Sequence, residues 1–132
     1  MNPNVQKNAA AYNTMAHSWE EAMQTNVGHK YLEKPAMDKE LPETLEGKTV
    51  LSIGVGGGDE LKEILKRSPA RVVGIDISKE LLNISSNKYP SIEFKEMDMM
   101  SMDFADTMFD FVYSSLTLHY TNDWDALLKE IN

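Results

Sequence analysis

The segment VLSIGVGGGDE, Val50 to Glu60, runs from a short apolar stretch into glycines at positions 54, 56, 57 and 58 and then into two carboxylates. A short apolar run closed by glycine reads as a buried strand. Glycine tolerates positive φ and lets a ligand approach the main chain closely. Such a loop gains meaning from its setting, between a strand and a helix.

That setting is present. Downstream, RVVGI (71–75), SIEFK (91–95) and FDFVYSS (109–115) read as strands, after TVLSI (49–53). DELKEILKRS (59–68), KELLNISSN (79–87) and NDWDALLKEIN (122–132) read as helices, with Ser78 as an N-cap. Strands alternating with helices through short connections imply parallel strands and right-handed crossovers. The expected fold class is α/β: a Rossmann-like three-layer sandwich with strand order 3-2-1-4. Upstream, NAAAYNTMAHSWEEAMQT (8–25) aligns Tyr12, Met15, Trp19 and Met23 on one helical face. A two-proline connecting segment follows, with one short helix before Pro42. Residues 1–48 thus form an N-terminal helix and connector, and 49–132 the ligand-binding domain.

Bulk properties narrow the function. The chain has 132 residues, a net charge of −8 and no cysteine. An acidic surface repels nucleic acid and anionic membranes. Disulfides and thiolate metal sites are excluded, and the three histidines lack metal-ligand spacing. No apolar run approaches the roughly 18 residues of a membrane span, and the N-terminus lacks a signal-peptide core. A cytoplasmic protein without a metal is expected.

In sheets of this type the ligand lies beyond the carboxyl ends of the strands, at the switch point that the loop Gly54–Gly58 leaves. A dinucleotide fits poorly. Its fingerprint wants glycine at position 59, which is Asp59, and its pyrophosphate sits at a helix N-terminus. Asp59 and Glu60 would face that phosphate with like charge. A ligand with an ammonium and a sulfonium and no phosphate, such as S-adenosylmethionine, fits better. Asp59 as a simple helix cap is the competing reading.

Asp76, ending VVGIDIS, follows the loop at the spacing of about 20 residues where an acid takes the ribose hydroxyls. A turn role is its alternative. Asp98 in EMDMM can accept the adenine amino proton, with Met97 or Met99 on the ring; a solvated loop acid is the other possibility. The methionines from 97 to 108 suit either an adaptable pocket wall or gap-filling beneath the sheet.

VLSIGVGGGDE, VVGIDIS, FKEMDMMSMDFADTMFDFVYSSLTLHY and DWDALLKEI, in this order and spacing, resemble the class I S-adenosylmethionine-dependent methyltransferases. The resemblance covers about Val50 to Asn132. YNTMAHSWEEA (12–22) is similar to the helix that closes over the cofactor in the small-molecule branch. It implies S-adenosylmethionine as cofactor, with Gly54 and Gly56 at its methionine moiety and Gly58 among the cofactor-binding residues. It further implies Asp76 at the ribose with Ile77 beside it among the cofactor-binding residues, Asp98 and Met99 at adenine, and Ser114 and Ser115 beside the reactive methyl. Tyr12 would cover the cofactor carboxylate. The implied partner is a small-molecule methyl acceptor.

Two departures stand out. Ser52 occupies a position where the family usually has an acid. The family also continues into further strands, so the sheet is expected to be cut short at Asn132. An exposed apolar fourth strand then predicts a homodimer through that side.

His119, after the fourth strand, is the candidate base, because imidazole titrates near neutrality. Its alternative is a turn-fixing residue. Tyr120 would line the acceptor pocket or pack, whereas Trp124, Leu127 and Leu128 read as core. Trp19 and Met23 read as core too, unless the helix acts as a lid. A cofactor-binding module without turnover and a nucleotide-dependent oxidoreductase are the alternative functions.

Overall fold

The computed structural model describes residues 2–132. Its sheet has four parallel strands in the order β3-β2-β1-β4. The strands are β1 (Thr49–Ile53), β2 (Arg71–Asp76), β3 (Glu93–Glu96) and β4 (Phe111–Ser114). Val50 pairs with Val72 on one side and Phe111 on the other. This is the Rossmann-like order expected from the sequence.

Side chains alternate along a strand, so β1 serves two cores. Val50 joins Val72, Tyr113, Leu61 and Ile64 under α3 (Leu61–Leu65) and α4 (Lys79–Lys88). Leu51 and Ile53 join Val73 and Ile75 on the other face, covered by Met97, Met99, Met102, Phe104 and Phe109 and by Ile131 of α5 (Trp124–Ile131). Burying one such side chain fully is worth about 1.5–3 kcal/mol. β1, buried on both faces, is therefore the mechanical base from which the glycine loop rises.

Helix α1 (Pro3–Thr25) begins earlier than its periodicity suggests, because the Asn2 side chain caps it and Pro3 occupies its first turn. It lies against α4: Asn13 Oδ1 accepts from Ser78 Oγ at 2.8 Å and from Glu80 N at 3.2 Å. The stripe Tyr12–Trp19–Met23 does not enter the core. Ala16 is the buried residue of α1, while Trp19 is 37 % exposed. A π-helical turn (His29–Glu33) runs directly into α2 (Lys34–Glu40).

Helix α3 is shorter than the expected 59–68. Asp59 does not cap it, since its carboxylate turns to His29. At its other end Arg67 N and Ser68 N bond three residues back, to Ile64 O and Leu65 O, tightening the last turn. In α5 the expected core trio splits. Leu127 is buried, but Trp124 and Leu128 are 49 % and 53 % exposed. No covering element packs on their face among the described residues. β4 forms one edge of this sheet, with Tyr113 buried and Phe111 and Val112 half-buried. Among the described residues no helix is long and apolar enough to cross a membrane, and no group of three or more side chains could hold a metal ion.

Candidate functional site

A cavity of about 640 Å³ opens at the carboxyl ends of β1, β2 and β4. That is within the range of small-molecule sites. Its floor is the glycine loop. Gly54 and Gly56 adopt φ +70 and +53, where an L side chain is strained. A Cβ on Gly54 would collide with Thr117, its Cβ lying 2.7 Å away. A Cβ on Gly56 would meet nothing within 4 Å. Gly56 therefore presents bare main chain to the cavity, a cradle that a side chain would fill.

Asp76 braces this loop from the end of β2. Its Oδ2 accepts Gly56 N–H at 2.9 Å and its Oδ1 accepts Ser78 N–H at 2.9 Å. Burial raises its pKa, and the backbone N–H groups of Ser78, Gly56 and Ile77 oppose that rise. Ionised carboxylate offers about four lone-pair sites. The loop contacts thus leave acceptor capacity facing the cavity.

Six carboxylates stand on the wall: Glu20, Glu33, Asp59, Glu60, Asp76 and Asp98. One lysine, Lys34, accompanies them, and it pairs with Asp38 at 3.3 Å. Such a wall favours a cation and disfavours a pyrophosphate. His29 lies among the acids, with Nδ1 to Glu33 and Nε2 to Asp59. Burial opposes its charge, but those two carboxylates outweigh burial and hold its pKa above the usual value. Glu33 also accepts from Ser115 Oγ. Glu60, at the N-terminus of α3, accepts from Ser52 Oγ at 2.7 Å. Burial, with Asp59 and Asp76 nearby, pushes its pKa up to about 7.

The opposite wall is aromatic. Tyr12 packs edge-on against Trp19 and Tyr120, with ring centroids 5.5 and 6.3 Å away, and its hydroxyl meets that of Tyr120. His119 lies tilted on Tyr120 at 4.3 Å. Burial and the Tyr120 hydroxyl keep the Tyr12 phenol protonated well above its ordinary range.

The cavity gathers Tyr12, Gly54, Gly56, Asp76, Ile77, Asp98, Met99, Ser115 and His119 from the sequence-derived set. Gly58 and Ser114 are not on its wall. Gly58 faces Leu61, Ser85 and Tyr89, and Ser114 Oγ donates to Ile53 O at 3.0 Å. Asp98 Oδ1 accepts Met100 N–H at 2.9 Å, so it both folds its own turn and borders the cavity. Met97 and Met99 likewise serve sheet core and cavity wall together. Sequence reasoning left His29 unassigned and did not find Glu33. Their i,i+4 spacing was the available signal; the meeting with Asp59, 30 residues away, was not readable.

Residues 51–132 match the family described as "Methyltransferase domain". The demethylmenaquinone methyltransferase of Chlorobaculum parvum is 35 % identical over 83 residues, covering 63 % of this chain and 34 % of that protein. The crystal structure of an S-adenosylmethionine dependent methyltransferase from Mesorhizobium loti aligns with TM-score 0.67 at 28 % identity, over 74 % of this chain and 45 % of that one. The [4+2]-cyclase SpnF shares the fold at TM-score 0.81 and 18 % identity, over 98 % of this chain and 55 % of that one. The chain spans between about a fifth and somewhat under half the length of the curated relatives it matches.

Proposed function

Because this chain belongs to the class I S-adenosylmethionine-dependent methyltransferases, we propose that it takes part in methyl transfer to a small-molecule acceptor held in the 640 Å³ cavity. The observation that carries the reading is the bare Gly56 cradle beside Asp76, on a wall dominated by carboxylates. These residues fit the cofactor. Gly54 and Gly56 would lie against its methionine part, Asp76 and Ile77 against its ribose, and Asp98 and Met99 against its adenine. When bound, S-adenosylmethionine supplies an electrophilic methyl group on a sulfonium.

The chain's own contribution is then alignment and proton handling. An in-line displacement with an activated leaving group needs proximity above all. Tyr12, Trp19 and Tyr120 wall the space from the α1 side and restrict the acceptor's orientation. His119 would take the acceptor's proton where the acceptor carries one. The name of the Chlorobaculum relative, a demethylmenaquinone methyltransferase, supports a small organic acceptor. Binding without turnover has one observation in its favour: among the described residues the His119 side chain makes no hydrogen bond that would orient it as a base.

The deciding experiment incubates the protein with S-adenosylmethionine and candidate quinone, phenol, amine and carboxylate acceptors, and follows both products by mass spectrometry. S-adenosylhomocysteine above the acceptor-free background, with one methyl gained by an acceptor, is the expected result. Cofactor binding with no S-adenosylhomocysteine from any acceptor would favour the binding module.

A further inference from the structure

The acids beside the glycine loop are mostly spoken for. Asp59 and Glu33 share His29, Glu20 holds Lys88, and Asp76 takes two backbone N–H groups. Glu60 differs. Its side chain is held by the neutral hydroxyl of Ser52, which is itself fully buried, and by no cation among the described residues. It is partly buried and faces the cavity it lines.

Resting on the reading that S-adenosylmethionine occupies this cavity, we propose that Glu60, positioned by Ser52, is the acceptor for the cofactor's α-ammonium group, and that the ammonium displaces a proton from it. The cofactor has two cationic centres. Its sulfonium has no hydrogen to donate, whereas its ammonium brings three N–H donors that need acceptors. A carboxylate meeting an ammonium away from bulk water makes a short, strong bond. The location also answers the departure at position 52. Where the family usually carries an acid on the strand, this chain has Ser52, and the Ser52 hydroxyl draws a carboxyl onto the same spot from the start of α3.

The surroundings explain why a proton is involved. Asp59 and Asp76 face Glu60 with like charge. Tyr113 of β4, Glu33 of the π-helical turn and Tyr89, just past α4, add no cation. His29, Lys34 and Lys88 nearby are paired with Asp59 and Glu33, with Asp38, and with Glu20. Without ligand, burial and these anions keep the Glu60 carboxyl protonated up to about pH 7. Binding therefore converts a carboxylic acid and an ammonium into a carboxylate–ammonium pair, and one proton leaves to the buffer.

The test is calorimetric titration in buffers of different ionisation enthalpy, with S-adenosylhomocysteine and with 5′-methylthioadenosine, which lacks the ammonium. The wild-type protein should release about 0.9 proton per S-adenosylhomocysteine at pH 6 and about 0.1 at pH 8, and none with methylthioadenosine. Glu60→Gln should abolish the release and weaken S-adenosylhomocysteine about tenfold or more, while leaving methylthioadenosine unchanged. Release of the same proton by Glu60→Gln would overturn the proposal. So would wild-type binding of S-adenosylhomocysteine without proton release, which leaves the cofactor reading intact. Failure of the wild type to bind either probe would remove the cofactor reading, and this proposal with it.

Discussion

Gly54 and Gly56, the two cavity-lining glycines with positive φ, make a paired experiment, since their alanine variants should fail in different ways. Alanine in the left-handed region costs about 1–2 kcal/mol, partly offset by about 0.4–1 kcal/mol from a stiffer unfolded chain. Gly56→Ala meets nothing within 4 Å, so its net loss should be about 1 kcal/mol and at most about 1.6 kcal/mol. For a chain of this length that is a fall of roughly 4 °C in Tm. Gly54→Ala adds a collision with Thr117, whose Oγ1 is tied to Ser115 O at 3.1 Å and whose Cβ lies 2.7 Å from the new methyl. Overpacking of that kind adds about 1–3 kcal/mol, so Tm should fall by roughly 8–15 °C. Thermal melts by circular dichroism read the stability. Calorimetry with S-adenosylhomocysteine reads the cradle. Gly56→Ala should remain folded and lose at least about tenfold in affinity, because its methyl takes the space the ligand's methionine part needs. Wild-type affinity in a folded Gly56→Ala protein would refute the cradle. Equal melting losses in the two variants would refute the role given to Thr117.

The Glu60 carboxyl binds its proton more tightly in the folded state (about 7) than in the unfolded one (4.5). The stability it contributes is therefore complete below about pH 4.5 and is lost as pH rises through 7, by at most about 3 kcal/mol; chemical denaturation against pH should show Glu60→Gln flatter than wild type by up to that amount. His29 is raised in the same sense, so its contribution is present below 6.5 and drains away above it, and His29→Gln should flatten the alkaline part of the same curve. His119→Ala should leave S-adenosylhomocysteine affinity within about twofold of wild type while lowering turnover; a large loss of affinity at unchanged Tm would count against its acceptor-side placement. We further propose that the 132-residue polypeptide forms a homodimer through the edge of β4, beside the exposed Trp124 and Leu128. Light scattering should then show a dimer that Val112→Lys dissociates; a monomer at all concentrations would contradict it.

The sheet was legible because its information is local. The runs at 49–53 and 71–75 are apolar and closed by glycine or aspartate, and parallel crossovers leave little choice of order. Gly54, Gly56, Asp76 and His119 could be placed on the cavity wall from the sequence because they follow strand ends, where such sheets bind ligands. What escaped depends on contacts distant in sequence. The π-helical turn brings His29 to Asp59, and that pairing removes the cap that would have extended α3 backwards. Ser52 looked like a lost acid, and only the folded chain places Glu60 on it. The stripe Tyr12–Trp19–Met23 has core periodicity, but periodicity marks an apolar face without saying whether a sheet or a cavity lies opposite. The same ambiguity misassigned Trp124 and Leu128.

What the cavity holds is tested most directly by titration calorimetry of the wild-type and Asp76→Ala proteins with S-adenosylhomocysteine and with NAD. The wild type should bind S-adenosylhomocysteine at one site and show no heat with NAD. Asp76→Ala should weaken that binding by more than about tenfold, the value of charge-assisted hydrogen bonds to a ribose. Binding of NAD in preference to S-adenosylhomocysteine, or an affinity for S-adenosylhomocysteine that Asp76→Ala leaves unchanged in a folded protein, would contradict the cofactor reading.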